Sequence, residues 1–228
     1  MEIPMRYYPV NLDVRDKDCL VVGGGHVGER KVKTLIDCGA RVFVVSLQAT
    51  EYLRGLASRG VIVLKQREYR SADLNNKFLV IGATDDEEIN QQISNDAARL
   101  RILCNIADRP GACSFVLPAI VRQGDLVIAI STSNKSPAIA RRIRQELEKE
   151  FGPEYALLLN LMGAIRHKLM AEGKSPEANK HIFESLLDEG ILDMIREKRI
   201  QDVDILLTEE LGKGYAWNEL MKTTEDER

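Results

Sequence analysis

The chain has 228 residues, 44% hydrophobic and 29% charged, with 32 Lys+Arg against 35 Asp+Glu and a net charge of −3. That balance supports a globular core larger than one domain of roughly 100–150 residues, and it excludes wholesale disorder and a generally basic nucleic-acid-binding surface. No apolar run approaches the ~20 residues of a spanning helix, and Met1–Arg6 has no secretory-signal character, so neither a membrane nor a nucleic-acid partner is expected.

In chain order, an early strand is expected at Tyr8–Leu12, then a turn at Arg15–Asp18. Five short runs follow at Cys19–Val22, Val42–Val45, Val61–Leu64, Phe78–Ile81 and Ile102–Ile106. Each is apolar at consecutive positions and rich in Val or Ile, the pattern of strands buried on both faces of a parallel sheet. Helical stretches separate them, clearest at Val27–Asp37, stopping at Gly39, and at Glu87–Leu100. This alternation gives an α/β chain with a doubly wound sheet. After Pro110-Gly111 the pattern changes. Ser114–Val121 and Leu126–Ser131 flank Gly124-Asp125 as a hairpin, and Ser136-Pro137 caps and opens a helix to about Phe151. Beyond Gly152-Pro153 the chain reads as helices, broken near Gly173–Pro176, Gly190 and Gly212–Gly214. The expected divisions are 1–113, 114–150 and an all-helical 151–228.

Gly23-Gly24-Gly25-His26-Val27-Gly28 is a G-x-G-x-x-G sequence placed after the first buried strand and at the start of the first helix. Alone such a triplet is weak evidence; in this setting it is the dinucleotide fingerprint of a Rossmann-type sheet. Gly23 permits the tight turn, Gly25 lets backbone approach a diphosphate, and Gly28 brings helix onto strand, while His26 and Val27 lie at the positively polarised helix start. The carboxylate usual at the end of the second strand is missing. Ser46, Leu47 and Gln48 stand there, with Ser46 and Gln48 able to hydrogen-bond a ribose, and no arginine follows directly. NAD is favoured over NADP without being settled. Ala83 and Thr84, after the fourth strand, lie at the same edge, with Asp85 or Asp86 as a helix cap.

Asp108 follows the fifth strand at the edge where open α/β sheets bind ligands. An unperturbed aspartate has a pKa of about 3.9 and is an available base at neutral pH, although Asp108-Arg109-Pro110-Gly111 also reads as an ordinary turn. Arg141, Arg142 and Arg144, with nearby Lys135, form a basic cluster suited to carboxylates, yet Glu146, Glu148 and Glu150 favour reading it as a balanced surface. The four cysteines show no C-x-x-C and no zinc spacing, and the three histidines no metal-site spacing, so a reducing cytoplasmic setting and no resident metal are expected.

Tyr8-Pro9-Val10-Asn11-Leu12, Cys19 through Lys31, Gly82-Ala83-Thr84-Asp85-Asp86, Cys104-Asn105-Ile106-Ala107-Asp108, Ser114 through Ala119, and Ser131-Thr132 to Ser136 through Arg141 form an ordered series. It resembles the precorrin-2 dehydrogenase/sirohydrochlorin ferrochelatase family, the dehydrogenase part of sirohaem synthase, over about the first two-thirds of the chain. The resemblance implies NAD-dependent oxidation of precorrin-2 to sirohydrochlorin and a homodimer interlocked through the segment after the nucleotide domain. Asp108 falls on the family's acidic catalytic position. Ferrochelatase members also insert Fe²⁺ into the product, with the same aspartate implicated. The polycarboxylate substrate gives Ser131, Thr132, Ser136 and Arg141 a binding role. Many relatives have Ser-Ser-Gly-Gly where this chain has Ser131-Thr132-Ser133-Asn134, so a differently shaped substrate loop is expected. Trifunctional relatives carry a further methyltransferase, for which this chain leaves no room, so methylation is not expected. The competing class is an NAD(H)-sensing regulatory module that binds cofactor without turnover.

Overall fold

The Val/Ile runs of the first half become β1 (Asp18–Gly24), β2 (Arg41–Ala49), β3 (Ile62–Lys65), β4 (Leu79–Gly82) and β5 (Leu103–Ile106) in the computed structural model, which describes residues 6–107, 109–173 and 175–226, the side chains of 176–178 and 223–226 excepted. They pair in parallel in the order β3-β2-β1-β4-β5. Helices α1 (His26–Asp37), α2 (Glu51–Ser58) and α3 (Glu87–Leu100) supply the cover. Alternation along β1 sends Cys19 and Val21 to one face, against Val32 and Leu35 of α1 and Leu53 and Leu56 of α2. Leu20 and Val22 face the other way, toward Ile93 and Ala97 of α3 and Tyr69 and Leu74 of the crossover between β3 and β4. Burial on both faces is why β1, β2, β4 and β5 read as unbroken apolar runs; β3, at the sheet edge, is buried on one face only, with Val63 46% exposed.

The chain moves outward from β1 to β3 and then returns to β4 on the other side of β1. The strand order therefore reverses between β1 and β4, which leaves a crevice beyond their carboxyl ends.

Two expectations about strands are corrected. Tyr8–Leu12 is not a strand: Tyr8 is 84% and Val10 67% exposed, and both neighbours of β1 are already β2 and β4. Its alternation of apolar residues finds no pairing partner among the described residues. The strand expected from Ser114 begins at Ala119 instead, because Ser114 is engaged with the outer edge of β5 and Pro118 has no N–H to give.

The described chain forms two compact units, one of residues up to Leu117 with Ser133–Lys135, the other of Pro118–Thr132 with Ser136 onward. In the second, β6 (Ala119–Gln123) and β7 (Leu126–Ile130) make the antiparallel hairpin around Gly124. Ser136 caps α4 (Pro137–Glu150), its hydroxyl accepting from the Ile139 N–H at 3.2 Å. Phe151 ends α4, and Gly152-Pro153 separates it from α5 (Glu154–Ala171). Then come α6 (Pro176–Asp188), α7 (Ile191–Arg196), α8 (Ile200–Leu211) and α9 (Trp217–Asp226), whose shared core includes Leu161, Ile165, Leu169, Leu186, Ile191 and Leu207. Among the described residues, no helix is long and apolar enough to cross a membrane.

Candidate functional site

The glycine bend is shaped by what a side chain would meet at each position. Gly23 has φ +110°, and a Cβ there would lie 2.3 Å from the Ala83 carbonyl oxygen. A Cβ on Gly28 would lie 2.0 Å from the Gly23 carbonyl oxygen, so α1 sits on the end of β1 only because residue 28 is glycine. At Gly25 an added Cβ meets nothing within 4 Å. The bend is thus closed on its protein side and open where a ligand must approach.

Helix α1 starts at this opening. Gly25 is its N-cap and offers no side-chain cap, and the first backbone bond is from the Glu29 N–H to the Gly25 oxygen at 2.9 Å. The N–H groups of His26, Val27 and Gly28 therefore have no intrahelical acceptor. All three lie at the positive end of the helix, a ready cradle for a diphosphate.

β2 runs four residues past its expected end. Val22 is opposite Val45 but Gly24 is opposite Ala49, so Ser46, Leu47 and Gln48 bulge out of register. The Ser46 hydroxyl accepts from the Gly24 N–H at 2.8 Å, and Leu47, 66% exposed, and Gln48 face outward. The carboxylate brought to this strand end is one the sequence reading passed over: Glu29, paired with Lys33 at 2.6 Å. The Lys33 ammonium, and next the Thr50 hydroxyl, hold the Glu29 carboxyl below the usual carboxylate range. In sequence it is indistinguishable from an ordinary i,i+4 helix pair.

On the other side of β1, the Ala83 N–H bonds the Val22 carbonyl at 2.7 Å. The Thr84 carbonyl accepts from Asn90 Nδ2 at 2.8 Å, and its hydroxyl accepts from the Asp86 N–H at 3.2 Å. Of the two candidate caps, Asp86 is the one used, accepting from the Ile89 N–H at 3.0 Å.

Asp108 lies outside the described residues. Its flanks are placed: the Ala107 N–H bonds the Gly82 carbonyl at 2.9 Å, and Arg109 forms an ion pair with Glu87 at the start of α3. The predicted substrate residues belong to the second unit. Thr132 exchanges hydrogen bonds with the Ser136 backbone at 3.1 and 3.2 Å. Between them Ser133 and Asn134 adopt φ +52° and +62°, the left-handed conformation in which glycine is at home. Two non-glycine residues thus hold the left-handed backbone at this bend. Ser131 stands at the end of the hairpin, just past β7. Arg142 and Arg144 are paired with Glu146 and Glu148, whereas Arg141 is exposed with no ion pair among the described residues.

Two cavities in the first unit, one of about 140 Å³ beside Phe43 and Lys77 and one beside Leu100 and Ile102, are lined by none of the predicted site residues. No cluster of three metal-binding side chains occurs among the described residues.

Residues 10–119 match the family described as "Putative NAD(P)-binding", and residues 123–150 the family described as "Sirohaem biosynthesis protein central". The chain is 33% identical over 90% of its length to a siroheme synthase of Methylococcus capsulatus, covering 43% of that protein. It is 34% identical over 91% of its length to siroheme synthase 2 of Klebsiella pneumoniae, covering 46% of that protein. The chain thus spans less than half the length of these curated relatives. Among solved structures, SirC, a precorrin-2 dehydrogenase, shares the fold at a TM-score of 0.70 and 23% identity, covering 96% of this chain and 100% of that one.

Proposed function

We propose that the chain is a member of the sirohaem-biosynthesis family, a reading supported by its matches to an NAD(P)-binding family and to the central segment of that biosynthesis, and that it oxidises precorrin-2 to sirohydrochlorin with NAD⁺. The observation that carries the proposal is the bend at Gly23–Gly28, closed at Gly23 and Gly28 and open at Gly25.

A nicotinamide dinucleotide bound at this bend supplies the hydride acceptor. The N–H groups of His26, Val27 and Gly28 bind its diphosphate, and Gly25 grants backbone approach. Ser46, Leu47 and Gln48 border the ribose, while Ala83 and Thr84 form the opposite wall. The choice of NAD over NADP is supported by the lack of an arginine directly after Ser46-Leu47-Gln48, where a 2′-phosphate would need one. Asp108 accepts a proton from the tetrapyrrole as the hydride leaves. Ser131, Thr132, Ser136 and Arg141 bind the substrate's carboxylates, with Arg141 the arginine of its cluster that no acid among the described residues occupies.

The partner we propose is a second copy, through residues 114–150. The hairpin carries apolar residues on both faces. Val121 and Ile128 are opposed on one, and on the other Ile120 faces Ala129 and Val127 faces Arg122, with Ile120 41% and Val127 48% exposed. A two-stranded hairpin with one apolar face uncovered is marginal alone. Four free cysteines support a reducing, cytoplasmic setting. Insertion of Fe²⁺ into sirohydrochlorin is the second reading, favoured by the relatives' name, siroheme synthase; iron is then a substrate, not a resident metal.

The test supplies enzymatically made precorrin-2 with NAD⁺ or NADP⁺ and follows reduced nicotinamide. Turnover with NAD⁺ that collapses in Asp108→Asn is expected. Tight NADH binding with no turnover overturns the proposal in favour of a sensing module. Fe²⁺ added to sirohydrochlorin without cofactor reads chelation separately.

A further inference from the structure

β5 is an edge strand, and its outer N–H and C=O groups are taken by side chains and backbone from just past the turn that follows it. The Cys104 N–H donates to the Ser114 hydroxyl at 2.8 Å, and the Ser114 N–H returns a bond to the Cys104 carbonyl at 2.8 Å. One step along, the Ile106 N–H donates to Cys113 Sγ at 3.1 Å. The same sulfur lies 3.2 Å from the Arg109 carbonyl and 3.4 Å from the Ile106 carbonyl, either of which accepts its one hydrogen. Asn105 Nδ2 reaches the Phe115 carbonyl at 3.0 Å and the sulfur at 3.7 Å. Return of the chain along the edge closes it to other strands, but sulfur at this one position does more: it joins residues on both sides of Asp108.

From this clasp we infer that Cys113 is a positioning residue for Asp108. The inference rests on the reading that Asp108 takes the substrate proton. Ile106, two residues before the aspartate, and Arg109, one after it, are held by a single atom. Backbone bonds from Arg109 to Ile106 at 3.3 Å and from Ala112 to Arg109 at 3.0 Å complete the loop. A thiol suits the position because its long C–S bond and large radius span both carbonyls and the N–H at 3.1–3.4 Å. Alanine loses all of these contacts, whereas serine keeps the donor and acceptor with a shorter reach. Displacement of a reacting group by about 1 Å costs on the order of 100-fold in rate.

Three variants of the full chain test this: Asp108→Asn, Cys113→Ala and Cys113→Ser. The expected result is an Asp108→Asn variant without turnover and a Cys113→Ala variant whose kcat falls about ten- to a hundredfold. In Cys113→Ala, the KM for precorrin-2 and the NADH Kd stay within about twofold, and the acid limb of the kcat–pH profile moves. Cys113→Ser recovers part of kcat, and amide exchange at Ile106 quickens in Cys113→Ala while the exchange at β1 stays as in wild type. Wild-type kcat in Cys113→Ala alongside an inactive Asp108→Asn overturns the inference alone, as does equal loss of NADH affinity and kcat. If Cys113→Ala fails to fold, a wild-type pH profile with lowered kcat in Cys113→Ser overturns it too. Normal turnover in Asp108→Asn defeats the assignment of the base itself.

Discussion

The Ser46 hydroxyl accepts a hydrogen bond from the backbone N–H of Gly24 at 2.8 Å, tying the end of β2 to the middle glycine of the dinucleotide bend. Gly24 also takes the Thr50 N–H on its carbonyl at 3.0 Å, so both backbone groups of this glycine are held from β2 and its end. Ser46 thereby shapes the bend as well as bordering it. Ser46→Ala leaves the Gly24 N–H without its acceptor and is expected to cost about 1 kcal/mol in urea unfolding. NADH affinity should fall several-fold alongside. Unaltered affinity and stability would show that the bend holds its shape without the serine.

Two of the fingerprint glycines predict separable effects. Gly28→Ala places a methyl 2.0 Å from the Gly23 carbonyl. Helix α1 must lift, and overpacking of this kind destabilises by about 1–3 kcal/mol. Gly25→Ala meets open space, so its melting temperature should match wild type while NADH affinity drops by an order of magnitude or more. Calorimetric melting with fluorescence titration of NADH on both variants checks the pair. Equal affinity in Gly25→Ala and wild type would remove the diphosphate from this bend.

These features differ in how far the sequence discloses them. Glycines report backbone crowding directly, which is why the bend was readable, and the five strands announced themselves by unbroken Val/Ile runs, even β3, which is buried on one face only. The extension of β2 was not readable, because polar Ser46 and Gln48 break the apolar pattern and only the tertiary bond to Gly24 carries the strand onward. Tyr8–Leu12 misled in the opposite sense: its alternation is strand-like, but a strand exists only where it pairs, and none of the described strands pairs with it. Glu29 looked like half of a helix ion pair, and its place beside Thr50 depends on a bulge that no local rule encodes. The sulfur clasp at Cys113 sits in irregular chain, where no periodicity marks it.

Asp73 predicts a pH dependence of stability. Its side chain is 5% exposed, and its carboxylate accepts from Arg67 Nη1 at 2.8 Å and from the Arg70 N–H at 3.0 Å. Burial pushes the Asp73 carboxyl up, yet the Arg67 guanidinium and the Arg70 N–H together outweigh it and leave the group below the usual carboxylate range. A carboxyl lowered in the folded state stabilises above its unfolded pKa of about 3.9, and that contribution disappears as pH falls through the lower folded value. Asp73→Asn should therefore be less stable than wild type at pH 7, by about 1–3 kcal/mol. The gap should close below about pH 4. Urea midpoints for both proteins at pH 7 and pH 3 measure it; a gap that persists unchanged at pH 3 would mean the ionised carboxylate is not what stabilises the crossover.

Ile120 tests the proposed dimer. It stands opposite Ala129 on the hairpin face that β6 and β7 leave uncovered, next to the Val127–Arg122 pair, and it is directed away from buried Val121. Because alternate residues of a strand point to opposite faces, a charge at 120 does not enter the packing of Val121. Ile120→Glu should accordingly fold as wild type in the monomer but leave a carboxylate facing its own copy across a two-fold interface, where each substitution is met twice. Burying an unpaired charge costs several kcal/mol, enough to convert dimer to monomer at micromolar concentration. Sedimentation velocity is expected to show the monomer mass for Ile120→Glu and the dimer mass for wild type, with NADH binding retained in both because the glycine bend lies in the other unit. A variant that remains dimeric would move the interface off the hairpin, and a monomeric wild type would leave its apolar face to some other partner.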